Sequence, residues 1–201
     1  MPARTQFGLP TVFTGLFIFA VLTFIYHNLD QVPVSTKMAS QDNELLSQLH
    51  VSLSQASKSP PAMSIKVTNN SPSPVTILSW ESPLDELALS LGLLSITPSG
   101  ASEPLEIARI MVSRKMPPSD DSLVSLAPGE SRENQVVLKE LLVPADKLKG
   151  KKSKVEVKGR WMGVWPKSRD ELTSEAIEKG AYGGGAVAGT YASDSIEIEV
   201  D

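Results

Sequence analysis

Residues 63–80 read MSIKVTNNSPSPVTILSW, and this stretch decides the fold class. In its first part, apolar Met63, Ile65 and Val67 alternate with polar residues, which is the pattern of a strand with one buried face. The run at 69–74 is dense in Asn, Ser and Pro, the residues that favour turns. Residues 75–80 resume an apolar and β-branched pattern. The stretch therefore predicts two strands joined by a turn.

Strand patterns continue on both sides of this stretch. Upstream, Leu49, Val51 and Leu53 alternate with polar residues. Downstream, strands are predicted at 93–96, 105–111, 135–138, 155–161 and 196–200, and short helices at 84–91 and 171–179. Turn signals separate them, including the Pro-Ser-Gly at 98–100 and the Ala-Pro-Gly-Glu at 127–130. Seven to nine short strands without long alternating helices predict an all-β, immunoglobulin-like antiparallel β-sandwich.

Composition excludes several classes of function. The chain has 201 residues and a net charge of -4, which is too mild to suggest a nucleic-acid partner. It has no cysteine, which removes disulfides, thiolate nucleophiles and Cys-ligated zinc. Its two histidines, His27 and His50, lack the neighbouring ligands that a metal site needs. We therefore predict no enzyme activity, no catalytic residues, no metal site and no cofactor.

One uncharged apolar run precedes the strands. It spans Leu9 to Tyr26, long enough to cross a bilayer as a helix. We predict a transmembrane signal anchor at 9–27, a cytoplasmic N-terminus at 1–8, a linker at 28–44 and the sandwich domain at 45–201. Signal-peptide cleavage, followed by secretion, is the alternative. Both interpretations place the domain in the lumen or outside the cell, and the first makes the protein single-pass.

Three stretches resemble a known family. They are Ile65 to Asn70, Leu78 to Glu86, and the Leu-Ala-Pro-Gly-Glu-Ser turn at 126–131. Together with the closing strand, they resemble the N-terminal, non-catalytic, prodomain-like domain of the deuterolysin-type zinc metalloproteases over residues 45–201. The resemblance implies a β-sandwich and a role in restraining or assisting a protease. It does not imply protease activity, because neither histidine lies in the His-Glu-x-x-His motif that binds zinc in that family.

Five residues are singled out as candidates for modification or binding. Asn69 begins an Asn-Asn-Ser acceptor for N-glycosylation. Trp161 and Trp165 are either core residues at the end of a strand or an exposed aromatic partner surface. Lys151 and Lys152 belong to a basic cluster that is either a solvated hairpin or part of the same partner surface.

Two functional hypotheses follow. The first is a non-enzymatic lumenal or extracellular binding module whose partner is a protease or another secretory-pathway protein. The alternative is an orphan propeptide remnant of a metalloprotease that lost its catalytic domain. An enzyme of unrecognised type is a third hypothesis, since residues from distant strands can meet in ways that sequence does not show.

Overall fold

The computed structural model describes residues 44–201, so the predicted anchor at 9–27 and nearly all of the linker lie outside the described residues. A short helical turn at 44–47 precedes the first strand. The strands are β1 (Leu49–Lys58), β2 (Pro61–Asn69), β3 (Val75–Leu78), β4 (Leu94–Pro98), β5 (Leu123–Leu126), β6 (Ser131–Val137), β7 (Lys152–Trp165), β8 (Val187–Ala192) and β9 (Ile196–Glu199). The helices are α1 (Ala145–Leu148) and α2 (Ser174–Lys179), with 3₁₀ turns at Asp120–Ser122 and Arg169–Glu171.

These strands form two antiparallel sheets. The first sheet has the order β1-β2-β6. The second has the order β4-β7-β3-β5, and the 14-residue strand β7 also pairs with β8 and β9. Because β7 is so long, β4 and β9 flank its first half, while β8 and β3 flank its second half. The predicted antiparallel β-sandwich is confirmed.

The core lies between the sheets and follows the strand period of two. In β2, Met63, Ile65 and Val67 are fully buried, as the alternation predicts. Ile77 of β3 and Val155 of β7 face them from the second sheet within the same cluster. A smaller cluster below the end of β7 contains Leu78, Leu123, Trp165, Leu172 and Ile177.

The strand and helix predictions differ from the structure at four places. Residues 105–111 form no strand, although the Leu105 N–H donates to the Ile96 carbonyl. Residues 84–91 form successive turns instead of a helix. Two strands were missed: β5, which shares only Leu126 with the predicted turn at 126–131, and β8. Within β8, position 189 suits glycine because Leu46 packs where a Cβ would sit.

Candidate functional site: a groove between two sheet edges

A groove with a volume of about 830 Å³ opens on the surface of the described domain. Its walls come from opposite sheets. Leu123 to Ser125 of β5 form one wall, and Arg132 to Asn134 of β6 form the other. The lining is completed by residues 79–80, 84–87, 114 and 120–122. Since β5 and β6 are the last strands of their sheets, the groove lies where the sandwich is open.

The strand β6 has an unpaired outer edge. At the two ends of the β2–β6 ladder, the Asn69 N–H donates to the Glu130 carbonyl and the Leu138 N–H donates to the Pro61 carbonyl. Antiparallel hydrogen-bonded pairs recur at every second residue, so Arg132, Asn134 and Val136 bond to β2. The backbone groups of Glu133 and Gln135 therefore point away from β2. No strand pairs with β6 on that side within residues 44–201.

The strand β5 is less open. Its outer side is partly covered by the 3₁₀ turn Arg169–Glu171, whose Arg169 N–H donates to the Ser125 hydroxyl oxygen at 3.0 Å. The strand is also short, with four residues against seven in β6. The accessible edge of the groove is therefore that of β6.

A buried carboxylate holds the floor of the groove. The side chain of Asp85 is 3% exposed. One carboxylate oxygen accepts the Glu81 N–H at 2.8 Å and the Arg114 guanidinium at 2.6 Å, and the other accepts the Leu87 N–H at 3.0 Å. A buried carboxylate needs such partners to stay in the folded core. Asp85 thus fixes the turn at 81–87 and attaches the segment of Arg114 to it.

Two aromatic residues stabilise the same turn. The Arg114 guanidinium lies 5.7 Å from the ring centroid of Trp80, a cation–π geometry. The Trp80 indole N–H donates to the Ser122 hydroxyl oxygen at 3.1 Å. From the other side, the Tyr191 hydroxyl donates to the Glu81 carbonyl at 2.9 Å, and burial raises the pKa of that phenol. These bonds make the floor a rigid scaffold.

The charge of the groove is negative. Its lining carries five carboxylates and two guanidiniums, which are Asp85, Glu86, Asp120, Asp121, Glu133, Arg114 and Arg132. The Arg114 charge is matched by Asp85, and Asp120 pairs with Arg169 at the rim. Within the described part of the chain, three carboxylates of the lining (Glu86, Asp121 and Glu133) and one guanidinium (Arg132) have no ion-pair partner. The open groove therefore keeps a net negative charge.

The groove contains one buried acid, and most of its acceptor positions are engaged. Asp85 accepts two backbone N–H groups and the Arg114 guanidinium, three of the roughly four hydrogen bonds that a carboxylate can accept. Within residues 44–201, no three potential ligands cluster in a way that could hold a metal ion, and no helix is long and apolar enough to span a membrane. His50 lies exposed on β1, away from the groove lining.

The two predicted tryptophans do not form a partner surface. Trp161 and Trp165 are each 1% exposed. Trp161 packs on Tyr191 with ring centroids 4.9 Å apart, and the Trp165 indole N–H donates to the Gly184 carbonyl. Because both rings are buried between strands, their core interpretation is confirmed, and a partner could reach neither ring in the folded domain.

The predicted glycosylation site is also buried. Asn69 is 0% exposed, and its amide nitrogen donates to the Ser73 carbonyl at 2.9 Å and the Leu126 carbonyl at 3.1 Å. Its amide oxygen accepts from the N–H and hydroxyl of Ser71. A glycan on that nitrogen would replace one of its two hydrogens, remove one of the donor bonds and need space for a sugar at a fully buried position. The folded structure thus contradicts glycosylation at Asn69 and makes this residue a structural one.

The predicted lysines lie on the surface, apart from the groove. Lys151 and Lys152 are exposed at the start of β7, and neither lines the groove. Lys152 pairs with Glu197 of β9 at 2.6 Å, which raises the pKa of Lys152. Glu197 and Glu199 face solvent as predicted, and Lys58 beside Glu199 lowers the pKa of that carboxyl.

A family model for an immunoglobulin-like domain matches residues 48–200, which includes both sheets and the groove. The chain belongs to the immunoglobulin-like domain family. Its nine described strands and antiparallel pairing agree with that assignment. The resemblance to the deuterolysin-type prodomain stays a prediction.

The chain also has a relative in sequence. It is 31% identical over 146 residues to an uncharacterized secreted protein of Arthroderma benhamiae. The similarity covers 72% of this chain and 71% of the relative. The two proteins are therefore similar over about seven tenths of each chain.

Sequence reasoning missed the groove. The stretch Leu78 to Glu86 supplied part of a predicted strand, the start of a predicted helix and a family resemblance, but its Trp80 and Asp85 were not predicted to form a site. Arg114 was not singled out at all. The free edge of β6 depends on the order of strands in the sheet, for which a single sequence carries no direct signal.

Proposed function

We propose that this protein is a non-enzymatic binding module of the secretory pathway or the cell exterior, and that it binds a protein partner in the groove between β5 and β6. One observation carries the proposal. The groove joins a rigid floor, held by the Asp85 bonds, to an unpaired strand edge and uncompensated carboxylates. A preorganised surface with unmet hydrogen-bonding groups is suited to binding.

The lumenal or extracellular location rests on two observations. The apolar run at 9–27 predicts entry into the secretory pathway, either as a signal anchor or as a cleaved signal. The Arthroderma relative is named as a secreted protein. Cleavage and secretion agree more directly with that name than a retained anchor does.

The finer role concerns the partner. The deuterolysin-type resemblance favours a module that restrains or assists a metalloprotease. The alternative is an orphan propeptide remnant, which would retain the sandwich but have no partner to bind. A transcript that continues beyond Asp201 into a His-Glu-x-x-His motif would favour the remnant.

Comparative affinity capture tests the proposed function. The tagged full chain, the groove variant Glu86→Lys/Asp121→Lys and the control Lys151→Glu/Lys152→Glu are each expressed in the source cells. Captured proteins from secretory and membrane fractions are then quantified by mass spectrometry. We expect a partner that the wild type and the lysine control retain and the groove variant loses.

Other results would count against the proposal. A partner lost only with the lysine control would move the binding surface to Lys151 and Lys152. A protein set identical for all three baits would contradict binding in the groove. Recovery of no specific protein would contradict a binding module and favour the remnant. A recovered zinc metalloprotease whose activity falls or rises with added domain would support the finer role.

A further inference from the structure

The outer edge of β6 offers a row of unused backbone groups. The N–H and C=O of Glu133 and Gln135 point away from β2, and within the described residues no group hydrogen-bonds to them on that side. The strand is exposed along most of its length, with Val136 the only buried residue in its burial pattern. Edges of this kind pair readily with an added strand, and natural domains usually blunt them.

The side chains around this edge select the kind of strand that fits. An added strand would direct alternate side chains into the groove, because successive residues of a strand point to opposite faces. Those side chains would approach Glu86 and Asp121, whose carboxylates carry no ion pair in residues 44–201. The lining also contains the unpaired guanidinium of Arg132, which these carboxylates outnumber. Lysine or arginine at alternate positions would complement them, whereas aspartate or glutamate would be repelled.

We therefore propose that β6 receives an extended segment of a partner protein by strand addition, with lysine or arginine at alternate positions facing the carboxylates of the groove. This inference rests on the proposed binding function and names the chemistry of its partner. Main-chain hydrogen bonds to Glu133 and Gln135 would supply affinity, and the carboxylates would supply selectivity.

A proline substitution tests the edge without disturbing the ladder. Gln135 lies opposite Ser64, and its N–H is on the side away from β2, so Gln135→Pro removes an outward donor while leaving the β2–β6 bonds in place. Gln135→Thr is the matched control, since it changes the same exposed side chain but keeps the N–H. Circular dichroism and thermal unfolding of both variants show whether each still folds.

The probe is a fluorescent eight-residue peptide of alternating lysine and threonine. Its binding to the full chain in nonionic detergent is measured by fluorescence anisotropy, beside a glutamate–threonine peptide of equal length. A third peptide carries N-methyl groups on the alternate amides that would face β6. We expect only the lysine–threonine peptide to bind. Its affinity should fall about tenfold or more in the Gln135→Pro variant and stay unchanged in the Gln135→Thr variant.

Two further measurements separate charge from backbone pairing. Glu86→Gln/Asp121→Asn should weaken binding several-fold and flatten its dependence on salt, because exposed charge pairs are screened by ions. Hydrogen exchange should show slower exchange at the amides of Glu133 and Gln135 when the lysine peptide is bound, with little change at Arg132 and Asn134, which already bond to β2.

Several outcomes overturn the strand-addition proposal. Equal binding by a folded Gln135→Pro variant, by the N-methylated peptide or by the acidic peptide would each do so, as would no binding of any peptide. If light scattering shows that the chain dimerises and Gln135→Pro abolishes the dimer, β6 pairs with a second copy instead. If the peptide tests fail but affinity capture still recovers a partner that the Glu86→Lys/Asp121→Lys variant loses, the proposed function stands. Only the strand-addition proposal is then contradicted.

Discussion

Asn69 shows how one side chain can hold a turn against a neighbouring strand. Its amide bonds to the carbonyls of Ser73, in the turn after β2, and of Leu126, at the end of β5. Its oxygen accepts two bonds from Ser71. Asn69 is fully buried, and its bonds to Leu126 and Ser71 are buried with it, so leaving those groups unpaired would cost free energy.

We expect Asn69→Ala to lower the free energy of unfolding by about 3 kcal/mol, because it removes four hydrogen bonds and leaves buried partners unsatisfied. Urea unfolding followed by tryptophan fluorescence measures this change. The neighbouring Asn70 is exposed, so Asn70→Ala should change stability by under about 0.5 kcal/mol. Equal effects of the two substitutions would contradict the role of the Asn69 amide.

Tyr191 makes the stability of the domain sensitive to alkaline pH. Burial raises the pKa of its phenol above the ordinary 10.0, with nearby Asp85 and Glu81 adding to the effect. The folded state therefore holds the phenolic proton more tightly than the unfolded state does. This contribution to stability is fully present below pH 10.0 and is lost as pH rises from there toward the higher pKa of the folded state.

We expect Tyr191→Phe to lower the free energy of unfolding by about 1 kcal/mol at neutral pH, since the hydrogen bond to the Glu81 carbonyl is removed. Above about pH 10, however, the variant should lose stability less steeply than the wild type. Unfolding midpoints across this pH range measure both effects. Tyr182 is 97% exposed, so Tyr182→Phe should follow the wild-type profile. If the unfolding midpoints of Tyr191→Phe and the wild type change with pH in parallel, the link between the Tyr191 phenol and stability at alkaline pH is contradicted.

At the scale of the elements, β1 and β9 close one side of the sandwich by a side-chain contact. The Gln55 amide donates to the Glu199 carbonyl, and its oxygen accepts the Glu199 N–H at 3.1 Å. The two bonds imitate the pairing of one strand residue with another. Lys58 adds an ion pair to the Glu199 carboxylate, although both side chains are about half exposed and the pair is screened by solvent.

We expect Gln55→Ala to reduce the free energy of unfolding by about 1–2 kcal/mol and to speed hydrogen exchange at the Glu199 amide, because both bonds between the strands are lost. Chemical unfolding and exchange mass spectrometry measure these effects. Gln135→Ala is the control, since Gln135 is exposed on the open edge. Unchanged exchange at Glu199 would show that β9 does not depend on Gln55.

At the scale of the whole domain, the two sides of the sandwich differ. On one side, Gln55 ties β1 to β9. On the other, the edges of β5 and β6 stand apart, and the groove lies between them with Asp85 and Arg114 at its floor. A sandwich closed on one side and open on the other leaves one edge for a partner. This asymmetry is the physical basis of the proposed function.

Sequence by itself determined the fold class and much of the core. The alternation in residues 49–53 and 63–67 specified which side chains are buried, because strand geometry turns a period of two directly into two faces. The turn run at 69–74 was equally clear. The same local reasoning failed at 105–111, where an apolar pattern runs without a strand to pair with, and at β8, whose Gly189 looks like a loop residue in isolation.

Tertiary structure decided what the local patterns left open. Burial of Trp161, Trp165 and Asn69 depends on residues distant in sequence that pack against them, such as Tyr191 beside Trp161 and Leu126 beside Asn69. An exposed aromatic surface and a glycan acceptor were therefore both compatible with the sequence. The groove arises from strand order, which leaves β5 and β6 at the edges, and from Arg114, which reaches Asp85 across 29 residues of chain. Contacts between segments so distant carry no periodic signal, and only the folded chain brings them together.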